Sequence, residues 1–392
     1  MYLHEVASSA DAARFLDFPN QIHSSNPQYI QPLSKDIEAV FDKKKNKFFQ
    51  HGKCSRWLLF DKNNMVIGRI AAFINYNYHQ DQPTGGIGFF ECINCADAAR
   101  FMFDRCKSWL QQEGMRAMDG PINFGERVNW WGLLMEGFDA PLYGMNYNPP
   151  YYKHLFECYG FEVYFYQDCY SIDLQRRLPE KFYKIKDRVE SQQEYQVVPF
   201  CKSKLKQFAR DFSSIYNKSW EIHGEGKTME ENEAIKLFRE MKAVIDEKAI
   251  WFAYRDGRPI ACWLNLPDLN YYFRSLKGKF SLVHILRFLW LKRFRPSPKL
   301  VGILFGVIPE YQTKGIDAFM VVSALSVIQA ETHYQQYEMQ WIGDFNPKMI
   351  NFAKNMGAER SRRLATYRYL FDQNQIFHRQ RMIGEVGERD KL

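Results

Sequence analysis

The stretch "GVIPEYQTKGIDAFMV" (306–321) decides how the rest of the chain is read. A continuous apolar run from Leu300 to Ile308 ends at Pro309, a polar turn follows, and a second apolar stretch begins after Gly315. The first run is short, bounded by proline and rich in β-branched residues, which predicts a buried strand. The second, Asp317 to Ala330, is long and rich in Ala, Leu, Val and Met, which predicts a mostly buried helix. A turn that opens a helix presents unpaired backbone N–H groups and the positive end of the helix dipole, the means by which main chain binds phosphate. Gly315 has no Cβ to keep a diphosphate from the backbone, and Lys314 adds a mobile positive charge. Asp317 works against this, because a carboxylate in the first helical turn repels phosphate unless it faces away or caps the helix. The string Q-x-x-G is weak by itself and also fits an ordinary strand-to-helix turn, so its context has to decide.

That context is duplicated. "RWLLFDKNNMVIGRIAAFIN" (56–75) has the pattern of a β-hairpin turning at Asn63-Asn64, and "IWFAYRDGRPIACWLNLPD" (250–268) repeats it with an Asp256-Gly257 turn. Downstream, "NPPYYKHLFECYGFE" (148–162) matches "NPKMINFAKNMGAE" (346–359): Asn-Pro, a helical stretch, then glycine. Trp57 to Asn148 spans 91 residues and Trp251 to Asn346 spans 95, so matched landmarks recur at matched separation. Each half also opens with a short strand and two helical segments. The chain therefore reads as a tandem duplication, with domains at 1–175 and 176–392 meeting where "LQRRLPE" (174–180) interrupts the apolar pattern. Strand-heavy segments interleaved with helices predict an α/β class, mixed α+β, with each sheet flanked by helices.

Composition agrees with a globular chain of two domains: 392 residues, 46% hydrophobic, 25% charged and 16% aromatic. The N-terminus has no basic region followed by an apolar core, and no apolar run approaches a membrane span. Eight cysteines in so long a chain read as reduced thiols of a cytoplasmic protein. The net charge of +8 is localised, since Arg274, Lys277, Lys279, Arg287, Lys292, Arg293, Arg295 and Lys299 occur without an intervening acid and equal the whole excess.

The order of elements, with Gln312-Thr313-Lys314-Gly315-Ile316-Asp317 between strand and helix, resembles the GNAT superfamily of acyl-CoA-dependent N-acyltransferases. The resemblance covers nearly the whole chain as two tandem GNAT-like domains, each a mixed, mostly antiparallel sheet. The stretch "GPINFGERVNWWGLLMEGFDAPLYGMNYNPPYY" (120–152) looks like that of bacterial tandem proteins of the N-acetyltransferase type. The family's phosphate turn is Gln or Arg, two residues, Gly, one residue, then Gly or Ala; five of six positions conform here and Asp317 departs. The resemblance implies acetyl-CoA or a longer acyl-CoA as co-substrate. Its diphosphate would lie on Gln312, Thr313, Lys314, Gly315, Ile316 and Asp317, and its thioester carbonyl would be polarised by the Val307 backbone N–H. Asn346 matches a position that contacts pantetheine, although a helix cap before Pro347 explains it equally well. The N-terminal half has no glycine from Phe89 to Phe103 at the matching turn, so it reads as a substrate-side or structural lobe with a degenerate CoA turn.

An acceptor amine must lose a proton to attack a thioester, and the departing thiolate is often protonated by an acid. The tyrosine that serves in many GNAT enzymes, four residues before the helix-ending glycine, is replaced by Ala353 in one half and Phe156 in the other. Glu338 and Asp344, on "YEMQWIGDFN" (337–346), are the candidate bases, with Tyr271 and Tyr272 further off. No metal site is expected, since Cys92-Ile93-Asn94-Cys95 is a lone CxxC and the histidines lack ligand spacing.

"FSLVHILRFLWLKRFRPSP" (280–298) mixes large apolar residues with Arg and Lys and ends at proline. It fits a helix packing the lobes together, or a peripheral contact of 280–295 with an anionic membrane. Burial, the common fate of such residues, favours the packing role. Three functions follow: N-acylation of a soluble amine, the same chemistry on an amphiphilic or lipid-borne amine, or a non-catalytic acyl-CoA-binding protein. The basic cluster carries no nucleic-acid reading motif, so no nucleic-acid partner is expected.

Overall fold

A computed structural model describes residues 1–78, 80, 82–220 and 228–383. In chain order the first half contains β1 (Tyr2–Glu5), α1 (Ser9–Ile22), α2 (Ser34–Phe41), β2 (Gly52–Phe60), β3 (Val66–Asn75), β4 (Thr84–Cys92), α3 (Ala96–Gln112), β5 (Ala117–Gly120), β6 (Leu133–Glu136), α4 (Tyr152–Tyr159) and β7 (Glu162–Asp173). The second contains α5 (Glu180–Glu190), β8 (Tyr195–Pro199), α6 (Leu205–Trp220), α7 (Glu231–Met241), β9 (Trp251–Arg255), β10 (Arg258–Pro267), α8 (Leu269–Phe273), α9 (Leu282–Phe294), β11 (Lys299–Val307), α10 (Ile316–Glu331), β12 (Gln336–Gly343), α11 (Pro347–Asn355) and β13 (Glu359–Leu370). Beyond the repeated set, the first half adds β6 and the second adds α5, α8 and α9.

All strands join one sheet in the order β1-β2-β3-β4-β5-β13-β7-β12-β11-β10-β9-β8, with β6 alongside β13. Among the described residues only β4–β5 and β11–β12 pair in parallel. The halves exchange their last strands. β13 of the second half lies beside β5 of the first, and β7 of the first beside β12 of the second. Both exchanged strands run to 12 residues, and β13 is buried on both faces from Leu364 onward. That two-sided burial is what a strand needs at the centre of a helix-covered sheet. One large core wraps the second lobe's sheet with α5, α6, α7 and α10. Two cores cover the faces of the first: α3 and α4 on one side, α1 and α2 on the other.

β13, "ERSRRLATYRYL", carries four arginines into this centre, and each finds a carboxylate. Arg368 makes paired hydrogen bonds of 2.6 and 2.8 Å to Asp119 on β5, and Arg363 pairs of 2.8 and 2.9 Å to Asp168 on β7. Arg362 donates Nε to Glu338 on β12 at 2.7 Å, and Arg360 reaches Glu136 on β6 at 2.7 Å. A buried ion pair adds little net stability over apolar packing, but removing one partner strands a charge. Arg368→Ala should therefore cost about 3–5 kcal/mol in urea unfolding, because Asp119 is only 1% exposed. The double variant Arg368→Leu/Asp119→Leu should recover most of that loss.

Candidate active site

Each lobe has one place where its two parallel strands part. β11 and β12 pair from Lys299/Gln336 to Gly302/Met339 and then diverge, leaving Ile303, Leu304, Phe305 and Val307 half-buried along a cleft. α11 forms the other wall, with the Phe352 ring 5.2 Å from Phe305. β4 and β5 pair from Thr84/Ala117 to Gly86/Asp119 and part in the same way. Three antiparallel pairings separate β5 from β12, so the two clefts open at opposite ends of the sheet.

In the second lobe the turn after β11 has the expected strand and helix around it. Thr313 and Gly315 both take left-handed backbone, φ +65° and +87°. Gln312 donates to the Val307 carbonyl at 3.2 Å, and Lys314 lies 4.8 Å above the Tyr311 ring. Ile316 is buried, and Asp317 accepts from the N–H of Ala318 at 2.9 Å. The glycine meets protein rather than open space: a Cβ at 315 would stand 2.4 Å from Ile185 on α5, with the Arg188 guanidinium 3.3 Å away. Packing against α5 thus requires this glycine. Asn346 accepts from the N–H of Met349 at 3.3 Å and caps α11, the role its Asn-Pro sequence fits.

Neither candidate base is free. Glu338 is 1% exposed and is held by Arg362, by Lys299 at 2.8 Å and by the Ser361 hydroxyl at 2.9 Å. Burial pushes its pKa up, but the Arg362 and Lys299 charges outweigh this and hold it below the ordinary value. A carboxylate so placed is a structural counter-ion rather than a base, which corrects the sequence expectation for Glu338. Asp344 pairs with Arg379 at 2.5 Å at the protein surface.

The first lobe holds titratable groups that sequence reasoning passed over. At the end of β4 the register with β3 shifts, so that two residues, Phe89 and Phe90, face Ile70 alone, and Phe89 takes φ +52°. Beyond this bulge Glu91 turns into the protein opposite Arg69 of β3. Glu91 accepts from the Tyr152 hydroxyl at 2.7 Å and lies 3.5 Å from Arg69 and 3.7 Å from His23. The Tyr152 oxygen in turn accepts from the Cys92 N–H at 2.8 Å. Burial and then the Glu91 charge raise the Tyr152 pKa well above its ordinary value, and burial lowers that of Arg69 against the pull of Glu91. The signal was present in the sequence: single opposite charges on two adjoining, otherwise apolar strands, "VIGRIAAFIN" and "TGGIGFFEC". A wider basic depression of about 480 Å³, at Lys202 to Gln207 with Arg239 and Lys242, touches neither cleft strand pair.

With this geometry established, the chain can be compared with known proteins. No family model matches it. It is 27% identical over 365 residues to the bacterial ceramide synthase of Caulobacter vibrioides, covering 90% of this chain and 93% of that protein. It is 25% identical over 370 residues to protein YghO of Escherichia coli K12, covering 91% and 92%. Among solved structures, a tandem GNAT protein from the clavulanic acid biosynthesis pathway superposes with a TM-score of 0.52 over 94% of this chain and 98% of that one, at 10% identity. A fungal GCN5-related glucosamine N-acetyltransferase region gives 0.55 over 94% of this chain and 38% of its own, at 11% identity. The chain has a tandem GNAT fold.

Two outcomes test the roles assigned to Gly315 and Glu338. Gly315→Ala and Gly357→Ala should each lose about 1 kcal/mol to left-handed backbone. Gly315→Ala should lose about 1–3 kcal/mol more in urea unfolding, because a Cβ at Gly357 meets nothing within 4 Å. Glu338, with its lowered folded pKa, contributes stability that is full above the unfolded value of about 4.3 and is lost as pH falls through the folded value. Glu338→Gln should accordingly flatten the acid limb of a stability–pH curve measured by urea unfolding.

Proposed function

We propose that the protein is an N-acyltransferase that moves an acyl group from an acyl-CoA to the primary amine of a long-chain amino alcohol at an anionic membrane surface. The observation that carries this reading is α9. Phe288 is buried against Tyr272, Phe273 and Leu276 with Leu291 packed beside it, while most of the helix's large apolar residues turn outward. Leu282 and Val283 are each 72% exposed, and Leu286, Trp290 and Phe294 all exceed half. Arg287, Arg293 and Arg295 are exposed among them, and Lys292 turns back to the Ala243 carbonyl. Apolar side chains held in water beside cations match the boundary between headgroups and acyl chains of an anionic bilayer. No helix among the described residues is long and apolar enough to cross a membrane, so the contact proposed is peripheral. The packing role expected for this stretch applies to one narrow face only.

The likeness to a bacterial ceramide synthase over nine-tenths of the chain supports the same reading, because a ceramide is the amide of a long-chain amino alcohol with a fatty acid. The chemistry balances simply. The ammonium loses a proton, the free amine forms a C–N bond at the thioester carbonyl, and the C–S bond breaks. The thiolate leaves as coenzyme A and the amide nitrogen gives up its second proton. Coenzyme A supplies an acyl carbon activated as a thioester.

Purified protein given a long-chain amino alcohol, anionic vesicles and acyl-CoAs of graded length should release thiol and form the amide, read by mass. Amide formation from a water-soluble amine alone would overturn the amphiphile. Separately, the protein should sediment with anionic vesicles at low salt and be released at high salt, since charge attraction is screened over about 10 Å at 0.1 M. Replacing Arg287, Arg293 and Arg295 together by Gln should abolish sedimentation. If neither version sediments, the membrane contact falls.

A further inference from the structure

The first lobe encloses a cavity of about 60 Å³ lined by Tyr29, Arg69, Phe89, Glu91, Trp130 and Asn146, among others. Such a volume admits about four or five water-sized groups, the size of a small polar headgroup. Its polar lining is under-coordinated. Glu91 accepts one strong hydrogen bond, from Tyr152, and its separation of 3.5 Å from Arg69 is longer than a good charge-assisted bond. Arg69, whose side chain is 8% exposed, spends Nη1 on the Phe15 carbonyl at 2.6 Å, and its Nε has no partner. Behind the lining, the His23 Nε2 beside Glu91 also has none, its ring stacked 4.2 Å from Tyr29. Burying charges with open valences is costly, and a native structure that keeps them has a use for them.

The position of the cavity narrows that use. The α8–α9 segment enters β11 at its N-terminal end, which is the end of the sheet where β4 finishes. Its packing reaches the cavity wall: Leu33 lies in one cluster with Tyr272, Phe273 and Phe288, and Ile30 and Pro32 line the cavity. The same segment meets the first half again where Tyr143 packs edge-on to Phe273 and Asn270 donates to the Pro141 carbonyl. The buried face of α9 and the cavity wall thus adjoin through residues 30–33, with the exposed apolar residues of α9 on the outer side of the same helix.

We infer that this cavity is the headgroup site for the amphiphilic acceptor, receiving a primary ammonium at Glu91 and a neighbouring hydroxyl at Arg69. The ammonium supplies the donors that Glu91 lacks, and the hydroxyl oxygen supplies the acceptor that the Arg69 Nε lacks. The inference rests on the acyl-transfer reading for the identity of the ligand. An amine held here lies at the C-terminal end of β4, so the acyl group it accepts must be presented in the first lobe rather than at the end of β11.

Calorimetric titration in mixed micelles, using a long-chain 2-amino-1,3-diol and its N-acetylated counterpart, tests the site without requiring turnover. The parent protein should bind the amine about tenfold or more tightly than the amide, as expected for one charge-assisted contact. Glu91→Gln should erase that preference. Met145→Trp, which enlarges a half-buried lining residue and leaves Glu91 and Arg69 intact, should weaken the amine to the same degree, and it decides the matter should Glu91→Gln fail to fold. If both variants melt like the parent and keep its preference, the site is overturned. Amine binding lost in the variants, with no amide formed by the parent from any acyl-CoA, would uphold the site and sink the acyl-transfer reading. Amide formed at parental rates by both variants would do the reverse.

Discussion

The rest of the structure depends on the exchange of last strands between the two halves. β7 leaves the first half to pair with β12, and β13 returns from the second to pair with β5, so neither lobe's sheet is complete without the other. The arginines of β13 fix this arrangement. Arg368, Arg363 and Arg362 each meet a carboxylate from a different strand, Asp119, Asp168 and Glu338. A slip of β13 by one residue would move every one of these cations to the opposite face, leaving Asp119 and Asp168 without their arginines and Glu338 with Lys299 alone. The ion pairs therefore specify register more than they add stability.

The local elements were legible because local physics determines them. The run from Leu300 to Ile308 became β11, Asp256-Gly257 forms a left-handed hairpin turn, and the helix after Gly315 spans Ile316–Glu331. The duplication was legible because each repeat had kept its own hairpin and Asn-Pro landmarks. The exchange was not, since β7 reads as the same strand whichever partner it finds. Glu338 misled for a related reason: its counter-charges sit at Lys299 and Arg362, 39 and 24 residues away, and only the folded sheet brings them to it. In α9 apolar and basic residues alternate too closely for the sequence to say which face would be buried.

At Gly315 the sequence and the packing draw on different properties of one residue. A glycine between a strand and a helix was read as room for a diphosphate, and Gly315 does have the backbone that only glycine adopts easily. The space beside it is taken by α5, an element the first half does not repeat. The first half, set aside for lacking such a glycine, holds the buried carboxylate, the loosely paired arginine and the cavity. The sequence ranks the lobes by a backbone feature that packing against α5 also requires, whereas unsatisfied buried charge draws attention to the first lobe.

Opposed clefts give a duplicated protein of this kind freedom to specialise. Because β4 and β11 finish at opposite ends of the sheet, what is inserted into one lobe can serve the cleft of the other. The α8–α9 insertion belongs covalently to the second half, yet it projects from the end of the sheet where β4 finishes and packs beside the first lobe's cavity. The first half contributes the long segment between β5 and α4, which brings Trp130, Asn146 and Tyr147 to the same place. In the second lobe β12 passes almost directly into α11, and α5 closes over the turn at Gly315. The exposed apolar helix α9 and the polar cavity thus come from different halves, and the strand exchange that joins the sheets is what holds those halves together.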